Sequence, residues 1–281
     1  MKLGLCLAGG GIKGAAHIGV LKAFEEKGIR LNMISGASSG SIVATLYAAG
    51  YTPDEIYEFF KKYAKDVKYV DAKNILKLVS GLIMKNKISI KGLTAGKKLE
   101  KYMRDECAEK GIKNIKDIKF PLFISSVDLR NGDTYIFTNS KCPKQDKLKL
   151  VTDIDVAKAV RASCSYPGIF EPVEWNGTEL IDGGIKENVP WQVMKNCGAD
   201  KVISVVFKTS SKKECCKNLI NVIDCSFGYL KDELFDYEIK GSGELIEIET
   251  SGISLLDYTK VDYLYELGYK IAKKYYEKTM K

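Results

Sequence analysis

The chain is poor in the residues and runs that mark several common protein classes. Its 281 residues include one histidine, and its eight cysteines form no C-x-x-C pair, which argues against zinc sites and disulfide frameworks. No stretch approaches the roughly 18 uninterrupted apolar residues of a membrane-spanning helix. The N-terminal run "LGLCLA" is too short for the core of a signal peptide. We therefore expect a cytoplasmic protein, soluble or peripheral at a membrane, with most of its cysteines reduced.

The composition that remains is typical of an ordered globular protein. Hydrophobic residues make up 45% and charged residues 28%, without tracts of one residue type, which argues against disordered and fibrous classes. We find no internal repeat. A chain of this length can bury a large core. We predict a single domain over residues 1–281, in which 208–281 form a C-terminal extension with helical and strand segments.

Short apolar runs alternate with helical patterns along the chain. The stretch "DLRNGDTYIFT" has an Asn-Gly turn between two extended runs and predicts a β-hairpin. Alternation of strands and helices indicates a layered α/β domain with a mainly parallel central sheet. Strands are predicted at 3–7, 31–35, 121–127, 201–207 and 244–249, and helices at 15–27, 39–49, 54–65, 95–109, 153–162 and 261–278.

The formal net charge of +8 is concentrated in one region. Between Lys61 and Lys101 twelve lysines stand against three acidic residues, so 12 − 3 gives +9 for that stretch. Residues 66–92 also carry apolar positions at helical spacing, with polar residues on the other side. This basic segment is either an amphipathic helix packed on the core or a flap that contacts a lipid surface. Nucleic-acid binding is not expected, because no recognised motif accompanies the charge.

A glycine-rich stretch follows the first predicted strand. In "LCLAGGGIKGAAHIGVL", Gly9, Gly11 and Gly14 fit the G-x-G-x-x-G spacing of dinucleotide-binding turns. A dinucleotide site also requires an acidic residue about 20 positions further on, at the end of the second strand. The second predicted strand, "LNMIS", ends without an acid. A nucleotide cofactor is therefore the weaker hypothesis for these glycines.

The second predicted strand runs into a G-x-S-x-G sequence. Gly36, Ser38 and Gly40 lie directly after that strand and before the apolar helix "IVATLYAAG". A strand-to-helix elbow holds its central serine in a sharp turn, and small neighbours let helix and strand approach closely. The position of Ser38 in this context predicts a nucleophile.

A nucleophilic serine gives the upstream glycines another role. Gly9, Gly10 and Gly11 lie where the neighbouring strand ends and a helix begins, so we expect their backbone amides to form the oxyanion hole. Lys13 would either add positive charge near a phosphate or carboxylate or be a solvated surface lysine.

The serine also needs a base. His17 lies upstream of Ser38 inside an apolar helix, which favours a packed or capping histidine over a catalytic one. Asp182, in "ELIDGGIKENVPW", ends a short apolar run before Gly183 and Gly184; this is either an Asp-Gly turn or a loop tip that reaches into a site. A buried aspartate can serve as the base, because desolvation raises its pKa from about 3.9.

Three elements in order, "GGGIKG", "GASSG" and "DGG", make the sequence resemble the patatin-like phospholipase family. The resemblance covers residues 2–207 and includes "HIGVL", "GLTAGKKLEKYM", "SSVDLRNGDTYIF", "RASCSYPGIFEPV" and "NVP". It implies a three-layer α/β/α fold and a dyad in which Ser38 is the nucleophile and Asp182 the base. It also implies hydrolysis of phospholipids or related acyl esters, with no metal or cofactor. Lys13 departs from the family, in which arginine is common at that position.

A second hypothesis is that the protein has this fold but does not catalyse ester hydrolysis. The chain would then be a noncatalytic lipid- or protein-binding relative of the family. Only an activity measurement separates it from the hydrolase, because both residues of the expected dyad are present.

Overall fold

The computed structural model describes residues 1–66, 90–146, 148–208 and 219–279 of the chain. Residues 67–89, most of the basic segment 66–92, lie outside the described residues. The described strands are β1 (Leu3–Leu7), β2 (Met33–Gly36), β3 (Gly92–Thr94), β4 (Leu122–Asp128), β5 (Thr134–Thr138), β6 (Leu148–Val151), β7 (Gly168–Phe170), β8 (Val173–Trp175), β9 (Thr178–Asp182), β10 (Lys201–Lys208) and β11 (Glu244–Glu249). The described α-helices are α1 (Gly14–Glu26), α2 (Ser39–Ala48), α3 (Pro53–Asp66), α4 (Lys97–Glu109), α5 (Val156–Ser163), α6 (Trp191–Asn196), α7 (Leu219–Ile239) and α8 (Val261–Thr279).

The strands form one large sheet and one small one. The order in the large sheet is β11-β10-β1-β2-β4-β5-β6, and its first five strands run parallel. Strands β5 and β9 pair antiparallel with β4, β6 lies parallel to β5, and β8 pairs antiparallel with β9. Strands β3 and β7 form the small sheet. The predicted α/β class with a mainly parallel central sheet is confirmed.

Helices cover both faces of the large sheet. Leu5 and Leu7 of β1 belong to the larger core cluster, which takes side chains from α1 to α5 and from α8. Cys6, between them, points to the opposite face and packs in a second cluster with Val193 of α6, while Phe235 of α7 lies against it. Alternation of buried side chains along a central strand gives each face its own core. The result is the three-layer arrangement that the resemblance implies.

The predicted elements agree closely with the observed ones. All five predicted strands and all six predicted helices are present, with bounds shifted by three residues or fewer. The predicted hairpin is formed by β4 and β5, which pair antiparallel across the Asn-Gly turn. The apolar spacing beyond 208 corresponds to α7. The sequence patterns did not indicate β3, β6, β7, β8 or α6, because these elements are short.

The topology brings three chain segments to one edge of the sheet. Strands β1 and β2 are parallel neighbours, and Leu7 is paired with Gly36 at their carboxyl ends. Gly36 is in turn paired with Ile124 of β4. Asp182, the last residue of β9, lies opposite Ser126, two residues beyond Ile124. The turn after β1 (residues 8–11, the glycine turn), the turn after β2 (residues 36–40, the serine turn) and Asp182 therefore share the carboxyl edge of the parallel strands. This is the edge where α/β proteins bind their ligands.

The C-terminal region contributes to both the sheet and a helical layer. Strand β11 pairs with β10. Helix α8 packs along α1, where the rings of Tyr276 and Phe24 meet edge to face with centroids 6.0 Å apart. Within the described part of the chain, no helix is both long and apolar enough to cross a membrane.

One cysteine pair differs from the expectation. Cys142 and Cys197 form a disulfide across a sequence separation of 55, with their Cα atoms 5.0 Å apart, whereas the spacing of the cysteines argued against disulfides. The tertiary fold places the connection between β5 and β6 beside the end of α6, which sequence spacing does not reveal. Cys6, Cys107 and Cys164 are buried free thiols, as expected for most of the cysteines.

Candidate active site

Ser38 occupies a strained turn between β2 and α2. Its φ of 48° and ψ of −125° lie in a region that residues with a Cβ rarely adopt. A Cβ on Gly36 would lie 2.4 Å from the Gly40 carbonyl oxygen, and a Cβ on Gly40 would lie 2.2 Å from the Leu7 carbonyl oxygen. The two glycines therefore let strand and helix meet closely enough to form the elbow, as the G-x-S-x-G context predicted. Such strain persists where surrounding structure holds it, commonly at functional sites.

Two other serines hold the backbone of Ser38. The Ser38 amide donates a hydrogen bond to Ser163 Oγ at 2.9 Å. The Ser41 hydroxyl donates to the Ser38 carbonyl oxygen at 2.6 Å, and the Ser41 amide donates to the same oxygen at 2.8 Å. Ser163 is fully buried at the end of α5, so the elbow is fixed from a segment more than 120 residues away.

The glycine turn runs beside the serine turn. The Gly9 amide donates to Asn188 Oδ1 at 3.0 Å, and the Gly10 amide donates to Ser39 Oγ at 3.2 Å. Gly11 has a φ of 58°, the left-handed conformation that favours glycine. A Cβ on Gly9 would lie 3.0 Å from the Ser38 Cβ, so this turn touches the expected nucleophile.

Two further residues of the first motif lie against the elbow and the core. A Cβ on Gly14 would lie 2.9 Å from the Ser39 Cβ, so glycine permits α1 to begin next to the serine turn. Lys13 is only 6% exposed. A solvated surface lysine, one of the two interpretations from sequence, is therefore wrong.

His17 is a packed histidine. Its ring is fully buried, and Nε2 lies 2.7 Å from the Ala8 carbonyl oxygen, so the tautomer protonated at Nε2 donates to that oxygen. Its ring also lies against Phe207, with centroids 4.7 Å apart. Burial lowers the pKa of His17 to about 4, so the imidazole is neutral at physiological pH. The interpretation of a packed histidine agrees with this geometry.

Asp182 is buried at the carboxyl edge of the sheet. Its side chain is 1% exposed, and Oδ1 accepts a hydrogen bond from the Gly184 amide at 2.8 Å. Its own amide donates to the Ser165 carbonyl oxygen at 3.1 Å. A Cβ on Gly183 would lie 2.3 Å from Ser125 Oγ, so glycine is required where the chain leaves β9. The sequence "DGG" therefore forms an Asp-Gly turn, and the aspartate of this turn has a buried carboxylate.

Residues 163–165 connect Ser38 with Asp182. Ser163 accepts from the Ser38 amide, and Ser165 accepts from the Asp182 amide, so Cys164 lies between these two contacts. Burial raises the pKa of the Cys164 thiol, the charge of Asp182 raises it further, and hydrogen bonds with Ser41 and Ser38 lower it. Residues 163–165 therefore link the backbone of Ser38 to the backbone of Asp182 at the carboxyl edge of the sheet.

A buried arginine fixes the loop that follows α5. Arg161 donates to the Ala95 carbonyl oxygen at 3.0 Å, to Ser165 Oγ at 2.6 Å and to the Glu171 carbonyl oxygen at 2.8 Å. Its guanidinium lies over the Phe170 ring at 5.0 Å. These contacts hold the wall of a cleft that opens at Ser38.

The cleft is apolar and has an empty volume of about 570 Å³, including its open mouth. Hydrocarbon side chains on its walls favour an apolar ligand, because burial of both surfaces removes them from water. Its walls are formed by Gly11, Ile12, Ser38, Ser39, Ile42, Phe60, Tyr63, Ala64, Cys164, Tyr166, Ile169, Phe170, Leu255 and Leu256.

The family profile described as patatin-like phospholipase matches residues 5–195, which include the glycine turn, the serine elbow and Asp182. The chain belongs to the patatin-like phospholipase family. Its fold and family are those of lipid hydrolases, as the resemblance implied.

Relatives of this patatin-like phospholipase differ in how much of their length it spans. The chain is 32% identical over 238 residues to the uncharacterized protein YqhO of Bacillus subtilis, covering 82% of this chain and 79% of that protein. It is 30% identical over 203 residues to lysophospholipase NTE1 of Meyerozyma guilliermondii, covering 72% of this chain and 12% of that protein. The chain therefore spans about an eighth of the length of NTE1.

Solved structures share the fold of this patatin-like phospholipase. VipD from Legionella pneumophila matches with a TM-score of 0.51 at 14% identity, covering 97% of this chain and 67% of the VipD chain. ExoU in its complex with SpcU, from the type III secretion system of Pseudomonas aeruginosa, matches with a TM-score of 0.50 at 19% identity, covering 99% of this chain and 51% of that one. At these identities the likeness is one of fold.

The sequence patterns did not single out several residues that hold the site of this patatin-like phospholipase. Asn188 and Ser163 lie within the stretches "NVP" and "RASCSYPGIFEPV", which carried the resemblance without roles for individual residues. In the sequence, these two residues are marked by nothing more specific than their position close to a motif. Their partners, Gly9 and Ser38, are 179 and 125 residues away in sequence, so only the fold reveals the contacts.

Proposed function

We propose that this protein is a serine lipid acyl hydrolase that cleaves carboxylic ester bonds of phospholipids or related acyl esters. Ser38 would be the nucleophile and Asp182 the base. The observation that carries the proposal is the apolar cleft that opens at Ser38, at a strained elbow beside the glycine turn. A hydrocarbon chain in that cleft would place the adjoining ester carbonyl near the Ser38 hydroxyl.

The reaction would proceed through an acyl-enzyme. Ser38 Oγ attacks the ester carbonyl carbon while its proton passes to the Asp182 carboxylate, and amides of the glycine turn stabilise the resulting oxyanion. Asp182 then protonates the leaving alcohol as the C–O bond breaks. Water, deprotonated by Asp182, attacks the acyl-enzyme, and the proton returns to Ser38 as the fatty acid leaves.

The surroundings support an aspartate in this role. His17 is bonded to Ala8 and its pKa is lowered, so it is engaged elsewhere. Asp182 is buried beside residues 163–165, and the Gly184 amide fixes one of its oxygens. A carboxylate held away from water is suited to accept a proton from a hydroxyl, because desolvation favours its protonated form.

Similarity to the NTE1 lysophospholipases supports a phospholipid or lysophospholipid substrate. We also propose that the whole chain acts as one domain and that the basic segment 66–92 gives peripheral contact with a membrane. The net charge of the stretch from Lys61 to Lys101 supports attraction to anionic headgroups.

Labelling with a fluorophosphonate probe tests the proposal. The purified protein and its Ser38→Ala variant are treated with the probe in the presence of lipid vesicles, and the adduct is located by peptide mass spectrometry. We expect one adduct, on Ser38, and none in the variant. Release of fatty acid from lysophosphatidylcholine and from phosphatidylcholine, measured in parallel, then separates the two substrate classes.

The opposite result favours the second hypothesis. A folded wild-type protein that neither reacts with the probe nor releases fatty acid from any lipid would be a noncatalytic relative. Lipid binding without turnover, measured by flotation with vesicles, would then describe its activity.

A further inference from the structure

Both polar atoms of a single peptide bond in the glycine turn are held by side chains. The bond joins Ala8 to Gly9. Its carbonyl oxygen accepts from His17 Nε2 at 2.7 Å, and its N–H donates to Asn188 Oδ1 at 3.0 Å. The two side chains come from different elements, α1 and the loop between β9 and α6, so they fix the orientation of this peptide plane from both sides.

The His17 side chain keeps its Nε2–H donor across the physiological pH range. The ring is fully buried and its pKa is about 4, so it remains neutral across the physiological pH range. A neutral imidazole that donates from Nε2 cannot take a second proton without charging a buried group, and it therefore does not change state during an acyl-transfer reaction at neutral pH.

The Asn188 contact is itself anchored. The Asn188 amide donates to Glu238 Oε1 at 2.9 Å, at the end of α7. The Ser125 hydroxyl donates to the carbonyl oxygen of Glu187, the preceding residue, at 2.9 Å. Asn188 also lies six residues after Asp182 in the same loop, so the segment that positions the expected base also holds the Ala8–Gly9 peptide.

A fixed peptide plane matters most in this turn. Three successive glycines allow many backbone conformations, and a rotation of the Ala8–Gly9 peptide would alter the direction of the amides that follow. Gly9 lies against Ser38, and Gly11 and Ser38 both line the cleft. The Gly9 N–H is donated to Asn188 at 3.0 Å and the Gly10 N–H to the Ser39 hydroxyl at 3.2 Å, so the orientation of the Ala8–Gly9 peptide decides how this turn lies against Ser38.

We propose that His17 and Asn188 are positioning residues that hold the Ala8–Gly9 peptide, and with it the orientation in which the glycine turn meets an oxyanion on Ser38. This inference rests on the proposed function. It gives roles to a histidine and an asparagine that touch neither the substrate nor the nucleophile's hydroxyl in the proposed reaction.

The test compares two asparagines that make the same kind of bond at opposite ends of β1. Asn188→Leu removes the acceptor for the Gly9 amide, and Asn32→Leu removes the acceptor for the Leu3 amide, which lies at 2.8 Å. For each variant we would measure the rate constant for fluorophosphonate labelling of Ser38, the kcat and KM for a short-chain p-nitrophenyl ester, and the Tm.

We expect Asn188→Leu to slow labelling and to lower kcat by about 10- to 100-fold, less than the full loss of an oxyanion-hole donor, with KM within about twofold of wild type. Asn32→Leu should leave both rates near the wild-type values even where it lowers Tm by a similar amount. A merely structural role for Asn188 would affect the two variants alike.

A second pair of variants tests the donor on the other side of the peptide. His17→Phe keeps a ring against Phe207 but has no N–H donor, whereas His17→Gln keeps an amide N–H that can reach the Ala8 carbonyl oxygen. We expect His17→Phe to lose activity as Asn188→Leu does and His17→Gln to recover most of it. If the buried histidine variants do not fold, the asparagine pair decides the question.

The outcomes separate the two proposals. Normal labelling of wild type, with Asn188→Leu slowed no more than Asn32→Leu, would overturn the positioning role and leave the hydrolase intact. Absence of labelling and turnover in wild type would refute the proposed function and the catalytic role of this peptide together. Both proposals are supported if labelling is slowed in Asn188→Leu but not in Asn32→Leu, and if His17→Gln keeps the activity that His17→Phe loses.

Discussion

Two neighbouring strand–turn–helix units build the site, and they differ in what they present to it. The turn from β1 to α1 presents backbone N–H groups, whereas the turn from β2 to α2 presents a side-chain hydroxyl. The first uses glycines and reaches a positive φ at Gly11 without strain, whereas the second forces Ser38 to a φ of 48°. A residue without a side chain suits backbone donors, but Ser38, the proposed nucleophile, needs its side chain and therefore bears the strain.

The two turns also differ in how they are held. Side chains of His17 and Asn188 hold the Ala8–Gly9 peptide in the first, and hydroxyls of Ser163 and Ser41 hold the backbone of Ser38 in the second. In each turn one of the two holding side chains is local, His17 or Ser41. The other comes from a distant segment, Asn188 or Ser163. Local turn chemistry is therefore insufficient for a site in which atoms must be placed to a fraction of an ångström.

The largest effect should come from Asp182, the proposed base for Ser38. We expect Asp182→Asn to lower kcat for ester hydrolysis by about 10²- to 10⁴-fold, because an amide cannot accept the Ser38 proton. Asp128→Asn is a matched control: Asp128 is also buried at the sheet edge, and its Oδ1 accepts from the Arg130 amide at 3.0 Å, as Asp182 Oδ1 does from the Gly184 amide at 2.8 Å. Equal losses in the two variants would contradict a role for Asp182 in proton transfer.

The loop that supports the glycine turn should show a pH-dependent stability. Burial, and then the charge of Glu238, raise the pKa of Glu187 to about 7. Because this folded-state pKa lies above the unfolded value, the favourable contribution of the protonated carboxyl is present below about pH 4.5 and is lost as pH rises through about 7.

Glu187→Gln should therefore leave the free energy of unfolding unchanged near pH 4 and increase it at pH 8 by up to about 3 kcal/mol. Urea unfolding at the two pH values measures this difference. The exposed Glu174, changed to Gln in the same way, is the control for the loss of one surface carboxylate. A Glu187→Gln variant less stable than wild type at pH 8 would contradict the sign.

The two hydroxyls that hold the serine turn should differ in importance. Ser163→Ala leaves the Ser38 amide without its acceptor, and we expect labelling of Ser38 to slow about tenfold, in proportion to the cost of an unsatisfied buried donor. Ser41→Ala should have a smaller effect, because the Ser41 amide still donates to the Ser38 carbonyl oxygen at 2.8 Å. Labelling rates of the two variants, measured at matched folded fractions, rank the contacts; a larger loss in Ser41→Ala would reverse our assignment.

The smallest effect concerns the strain at Ser38 itself. Ser38→Ala and Ser38→Gly should both be inactive, but glycine adopts this φ without a Cβ clash. We expect Ser38→Gly to be more stable than Ser38→Ala by about 1 kcal/mol, measured by urea unfolding. Equal stabilities would mean that the elbow bears no strain, and the contrast with the glycine turn would lose its physical basis.

Much of the fold could be predicted from the sequence, because its strongest signals are local. The periodicity of apolar residues located the strands β1, β2, β4, β10 and β11 and the helices α1 to α5 and α8, and the motifs placed Ser38 and Asp182 at the ends of strands. The short elements β6 and α6 gave no periodic signal. The disulfide between Cys142 and Cys197 was also not predicted, since it joins segments 55 residues apart.

By itself, the sequence determined the α/β class, the two turns and the residue types that their conformations require, since these depend on side-chain periodicity and on which residues tolerate a given φ. Only the tertiary structure decided which groups hold those turns. Asn188 reaches Gly9, and Ser163 reaches Ser38, because parallel strands bring their carboxyl ends to one edge of the sheet. Hydrogen bonds between distant segments depend on distances and directions in space, and no spacing along the chain encodes them.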